Sequence, residues 1–143
     1  MAYKYYDVRT FIHDRLQSVP FIATHRFFAN MAYASKYDKW TADLTLNWFG
    51  RKKLPNTLDN PSPFRRDEYS PDYILANAQV ARGFKWGQIY LGSENLFNFT
   101  QNDPIIDAEN PFGNNFDAAM VWGPVPGRMI YAGFRYKIKQ TKK

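Results

Sequence analysis

The sequence predicts an all-β fold, an antiparallel up-and-down meander of about six strands. Three observations predict it. Stretches of about ten residues alternate large apolar or aromatic side chains with small or polar ones, as strands do when successive side chains point to opposite faces. The links between these stretches are by turns short and long. No segment of helical period is long enough for a crossover, so neighbours in sequence should pair in space.

The first predicted strand, Tyr3 to Ile12, alternates least well, since Tyr3, Tyr5 and Tyr6 occupy both faces. The second, His25 to Ser35, sets Phe27, Ala29, Met31 and Tyr33 against Arg26, Phe28, Asn30 and Ala32. Lys36 to Lys39 turn it into the third, Trp40 to Gly50, where Trp40, Ala42, Leu44, Leu46 and Trp48 oppose Thr41, Asp43, Thr45 and Asn47. The fourth, Tyr73 to Phe84, sets Ile74, Ala76, Ala78 and Val80 against Tyr73, Leu75, Asn77 and Gln79. Lys85, Trp86 and Gly87 lead into the fifth, Gln88 to Phe99, with Ile89, Leu91 and Phe97 opposite Gln88, Tyr90 and Glu94. The last, Arg128 to Lys139, places Ile130, Ala132, Phe134, Tyr136 and Ile138 against Met129, Tyr131, Gly133, Arg135 and Lys137.

The remaining links are long and stiffened by proline. Arg51 to Asp72 carries Pro55, Pro61, Pro63 and Pro71, and Thr100 to Gly127 carries Pro104, Pro111, Pro124 and Pro126. Alternation of short and long links puts all the short ones on one edge of the sheet. That asymmetry is expected of outer-membrane barrels, with short periplasmic turns and longer extracellular loops.

Composition points the same way. A chain of 143 residues fits one domain, 1–143. Its 18% aromatic content, with ten Tyr, twelve Phe and four Trp, suits a boundary between hydrocarbon and water. No apolar run approaches the roughly 18 residues of a membrane helix, which excludes a helical membrane protein and leaves a β-barrel open. The absence of Cys removes disulfide scaffolds, thiolate metal sites and Cys nucleophiles. The net charge of +6 is scattered over Arg51 to Lys53, Arg65 and Arg66 beside Asp67 and Glu68, and the tail at Lys142 and Lys143, so no nucleic-acid partner is expected. Met1 to Tyr6 read as strand rather than as a signal peptide: either the chain stays in the cytoplasm or its beginning lies elsewhere.

The segment Gly92-Ser93-Glu94-Asn95-Leu96-Phe97-Asn98 is similar to the G-x-x-N-L-F-D/N of the penultimate strand of TonB-dependent receptors. The final strand, Gly127 to Tyr136, and the loop residues Asn110-Pro111-Phe112-Gly113, Phe116-Asp117-Ala118 and Met120 to Pro124 resemble Bacteroidetes-type members of that family. Asn47 to Gly50 and Pro55 match more loosely. The resemblance covers the whole chain and is strongest from Gln88 onward. It implies the last strands of a barrel of about 22 strands with a plugged lumen, in the outer membrane of a Gram-negative bacterium. It further implies import of a scarce nutrient and, as partners, the rest of the barrel, the plug, membrane lipid, the TonB system and a surface lipoprotein. Asn95 would tie down backbone at the outer rim, and Gly123, Pro124 and Gly127 would shape the return into the last strand. One departure is the polar tail Lys139 to Lys143, where such strands commonly finish on an aromatic residue.

No catalytic pattern emerges. His13 and His25 stand apart from any Ser, Asp or Cys motif, so no enzyme activity is expected. Asp103, Asp107, Glu109 and Asp117 lack the spacing of a calcium loop, and neither metal nor cofactor is expected. Asn98-Phe99-Thr100 is a glycosylation sequon without meaning in a bacterial barrel. Ligand contact falls instead to charged and aromatic residues of the long loops: Arg65, Arg66, Tyr69, Asp107, Phe112, Phe116 and Trp122. Two other architectures compete, a soluble β-sandwich or small ligand-binding barrel, and a membrane barrel that assembles by oligomerisation.

Overall fold

A computed structural model describes residues 1–12 and 14–138. His13 and the polar tail from Lys139 to Lys143, including the predicted end of the last strand, lie outside the described residues. The strands are β1 (Ala2–Tyr5), β2 (Arg9–Ile12), β3 (Arg15–Ser18), β4 (His25–Ala34), β5 (Trp40–Phe49), β6 (Tyr73–Phe84), β7 (Gly87–Glu94) and β8 (Met129–Tyr136). Six of them form one antiparallel meander in the order β1-β4-β5-β6-β7-β8, which does not close on itself, while β2 and β3 form a separate hairpin.

The predicted first strand is thus two. After Tyr5 the neighbouring β4 has no more ladder to offer, because β4 begins at His25, the partner of Tyr5. The chain leaves the sheet, and Arg9 to Ser18 fold back on themselves through Asp14, whose φ of 57° makes the tight reversal. The fifth strand ends at Glu94, short of Phe99. Asn95 takes a φ of 49° and the Leu96 amide donates to the Ala76 carbonyl, which ends the alternation before Phe97.

Register decides the faces. Leu44 lies across from Ala78, then Ser93, then Ile130; Ala42 from Val80, Leu91 and Ala132; Trp40 from Arg82, Ile89 and Phe134. With Leu46 beside Ala76 and Trp48 beside Ile74, these rows make one continuous apolar face. No second layer covers it among the described residues: Ile130 is 71% and Phe134 72% exposed. At its turn-bearing edge, Trp86 stacks on Phe84 and Tyr136, and the Arg82 guanidinium lies over Trp40 and Phe84. The opposite face is polar, with Asn30 donating to Asp43 and Thr45 across the ladder.

Two glycines complete the polar face. The Tyr131 ring lies over Gly92, its cross-strand partner, and the Tyr90 ring over Gly133, also its partner, so the two tyrosines exchange places across β7 and β8. A Cβ at either glycine would overlap the facing tyrosine ring. The rings meet edge to face at 6.4 Å, and the Tyr131 hydroxyl donates to Gln79 on β6 at 3.3 Å.

The largest fully buried side chains are not in the sheet. Ile106 and Met120 cluster with Leu54, and Phe21, Phe64 and Trp122 pack against them; all but Phe21, which comes from the connection between β3 and β4, are contributed by the long links. The loops therefore form a cap with its own small core on one edge of the wall.

Replacing Gly92 or Gly133 by Val is expected to displace the facing tyrosine and destabilise the sheet by about 1 to 3 kcal/mol, read as a lower midpoint of denaturant unfolding. Ser93→Val on the opposite face should change that midpoint far less.

Candidate functional site

The cap is built mainly by backbone bonds that the side chains direct. The link after β5 folds back so that the Ser70 amide donates to the Lys52 carbonyl at 2.9 Å and the Leu54 amide to the Glu68 carbonyl at 2.8 Å. The Lys52 amide donates to the Ser70 hydroxyl at 3.0 Å. Leu54 is thereby carried inward onto Ile106 and Met120 of the second loop.

That second loop is clamped by three side-chain amides. Asn95 donates to the Phe99 carbonyl at 2.7 Å and accepts from the Phe99 amide at 3.0 Å, closing the turn at the end of β7. Asn98 accepts from the Arg128 amide at 2.8 Å and so fixes the entry into β8; a Cβ on the adjoining Gly127 would come within 2.7 Å of it. Buried Gln101 does most. It donates to the Met120 carbonyl at 2.7 Å and accepts from the amides of Trp122 at 2.7 Å and Gly123 at 2.9 Å.

Lys52 joins wall and cap. Its ammonium donates to the Tyr73 hydroxyl at 3.0 Å and to the Trp122 carbonyl, and lies over the rings of Phe49 at 5.6 Å and Tyr73 at 5.2 Å. Tyr73 in turn stacks on Phe49 at 5.0 Å and on Phe99 at 4.8 Å. Burial, and then the nearby positive charge of Arg26, hold the Lys52 amine below the ordinary lysine range.

The seven loop residues expected to touch ligand are dispersed. Phe112 is 99% exposed, and Arg65 is also exposed, its guanidinium donating to the Asn60 carbonyl at 2.9 Å. Arg66 lines a recess of about 480 Å³ together with Lys53, Leu54, Thr57 and Glu68. Tyr69 carries the Arg51 guanidinium over its ring at 5.2 Å. Asp107 takes a φ of 52° and its carbonyl accepts from the Asn110 amide in a turn. Phe116 is partly exposed beside Asp117, whose amide and carbonyl pair with Ile106. Trp122 is drawn inward against the cap core, Tyr73 and Phe99. Asp103, Asp107, Glu109 and Asp117 do not converge, and no group of three metal-ligating side chains occurs among the described residues.

Sequence reasoning missed Lys52 and Gln101. A run of three basic residues reads as a solvated strand end, yet the middle one points the opposite way from its neighbours in extended backbone, which is the available signal. Gln101 has none, since its three partners lie about twenty residues away in an irregular loop. No family model, curated protein or solved structure matches the chain.

Gln101→Ala should leave three loop groups without partners, cost about 1 to 3 kcal/mol and speed proteolytic cleavage in the loop between β7 and β8. Titration of the Lys52 amine, followed by NMR after isotopic methylation, should give a pKa below the ordinary lysine range. Arg26→Gln should raise that pKa only partway, because burial is the larger cause.

Proposed function

We propose that this chain forms wall and outer loops of a TonB-dependent outer-membrane receptor, which binds a scarce nutrient and imports it with energy relayed from the inner membrane. The observation that carries the reading is the uncovered apolar face running across all the strands of the meander, together with a loop cap confined to one edge. A soluble domain buries one face of its sheet against a second layer; lipid does the same for a barrel wall. Of the meander strands, β4 and β5 with ten residues fall within the roughly 9 to 11 needed to cross a bilayer at a tilt, β6 with twelve exceeds it, and β7 and β8 with eight and β1 with four are shorter. Aromatic side chains at the turn-bearing edge suit the headgroup level. The receptor resemblance from Gln88 onward supplies the family.

In this reading the open edges belong against further strands. β1 meets β4 only from His25 to Phe28, so Ala29 to Ala34 have a ladder on the β5 side alone, and β8 has none beyond β7. Unpaired N–H and C=O groups cost several kcal/mol each in hydrocarbon. The remainder of the barrel pairs with these edges, the plug sits in the lumen that the polar side faces, and the loops take part in ligand capture. A surface lipoprotein over the loops belongs to the same proposal.

Leu44→Arg, facing lipid, should cost about 2 to 4 kcal/mol near the midplane, whereas Thr45→Arg, facing the lumen, should cost much less; unfolding from vesicles measures both. The 143-residue chain expressed alone should aggregate. A soluble, monodisperse monomer with cooperative unfolding in detergent-free buffer would sink the membrane reading.

A further inference from the structure

Lys4, Arg26, Phe49 and Tyr73 lie side by side in one register row across four strands, on the polar face at the loop-bearing edge. The row opens into a recess of about 340 Å³ whose polar-face lining includes Lys4, Tyr6, Arg26, Phe28, Asn47 and Phe49. Lys52 lies over the same Phe49 ring at 5.6 Å. Three cations thus gather along one stretch of wall, and no carboxylate answers them. The only ion pair among the described residues is Arg9 with Asp7, in and beside the β2–β3 hairpin. Asp43 is engaged with Asn30 lower on the polar face, and Asp72 accepts from the Trp48 indole of the apolar face.

Arg26 is held in a particular way. Its guanidinium lies over Tyr6 at 5.5 Å and over Phe49 at 5.4 Å, so two aromatic rings flank the cation without offering it a carboxylate or carbonyl acceptor. Its Nε is buried and has no hydrogen-bond partner. A buried donor without an acceptor is unfavourable, but no ligand in the recess reaches Nε; the terminal Nη pair is the edge of the guanidinium that the two oxygens of a planar carboxylate can meet. Lys52 already donates to the neutral Tyr73 hydroxyl and Trp122 carbonyl, which fix the ammonium without cancelling its charge.

We propose that this recess binds a small soluble carboxylate with a flat apolar body, its carboxylate taken in the plane of the Arg26 guanidinium and assisted by Lys4, its body against Phe28, Phe49 and Tyr6. Lys52 acts as a positioning residue, holding Phe49 and Tyr73 and adding positive potential beside the recess. The site goes beyond the receptor reading and uses it only to make the polar face the lumenal one. It also differs from the exposed loop residues as a place of ligand contact.

The test uses the complete polypeptide that carries this segment, purified in detergent, with 2-naphthoate as probe and 2-naphthamide as its neutral counterpart, followed by titration calorimetry. Naphthoate should bind, and naphthamide at least about tenfold more weakly. Arg26→Gln should weaken naphthoate about tenfold or more and leave naphthamide unchanged, Arg26→Lys should recover part of the loss, and Lys4→Gln should have a smaller effect. Heat-modifiable migration on gels checks that each variant retains a folded barrel; a water-soluble protein that still shows Arg26-dependent naphthoate binding would keep the site and remove the membrane reading. Equal binding of acid and amide, no binding of either, or indifference to Arg26→Gln in a folded variant would overturn the proposal. So would carbodiimide cross-linking of Lys4 or Lys52 to an acidic side chain of the same polypeptide, because the recess would then be filled from within.

Discussion

Unbroken register across the ladders of the meander is the constraint on which the rest of the structure depends. From β1 to β8 no residue is inserted within a paired stretch, so each strand's alternation stays in phase with its neighbour's. A slip by one residue would move every side chain to the other face. In phase, the apolar sets add up to one wide surface and the polar sets to another. Hydrogen bonds hold the strands together, but they cannot satisfy the apolar surface, and only an outside medium or another layer can.

The cap solves a different problem. Long irregular backbone carries many polar groups, and where these are buried each needs a partner. Gln101 and Asn95 supply partners through side-chain amides that donate and accept at once, which neither a hydroxyl nor a carboxylate does as fully, and Asn98 accepts from the Arg128 amide. The small core of Leu54, Ile106 and Met120 then joins two loops that are distant in sequence. Lys52 fastens this cap to the wall by donating both to Tyr73, at the start of β6, and to Trp122 of the loop.

Charge on the polar face is arranged unevenly. Lower in the wall, Asp43 is matched with Asn30 and Thr45, while toward the cap Arg26 and Lys52 meet aromatic rings instead of acids. Aromatic faces moderate a cation's desolvation without neutralising it, so this part of the wall keeps a positive potential. Anions near it gain more than they would beside an ordinary ion pair.

Alternation and turn lengths are local properties, and from them the all-β class, the meander order, the membership of the two faces and the sidedness of the long loops could be read residue by residue. Leu44 and Ile130 each follow the period of their own strand, and the ladders from β5 through β6 and β7 to β8 bring them to one face. Other features depended on partners distant in the chain. β1 stops at Tyr5 because β4 begins at His25, and β7 stops at Glu94 because Asn95 turns to a positive φ. Trp122 reads as an exposed loop aromatic in the sequence, but packing against Ile106, Met120 and Tyr73 draws it in. Arg26 reads as one polar residue among several until the fold sets it between Tyr6 and Phe49, beside Lys52. Period and turn length act between neighbours and are written in the sequence by itself. Burial, and the company a charge keeps, are decided by tertiary structure, because they depend on strands and loops that meet only when the sheet forms.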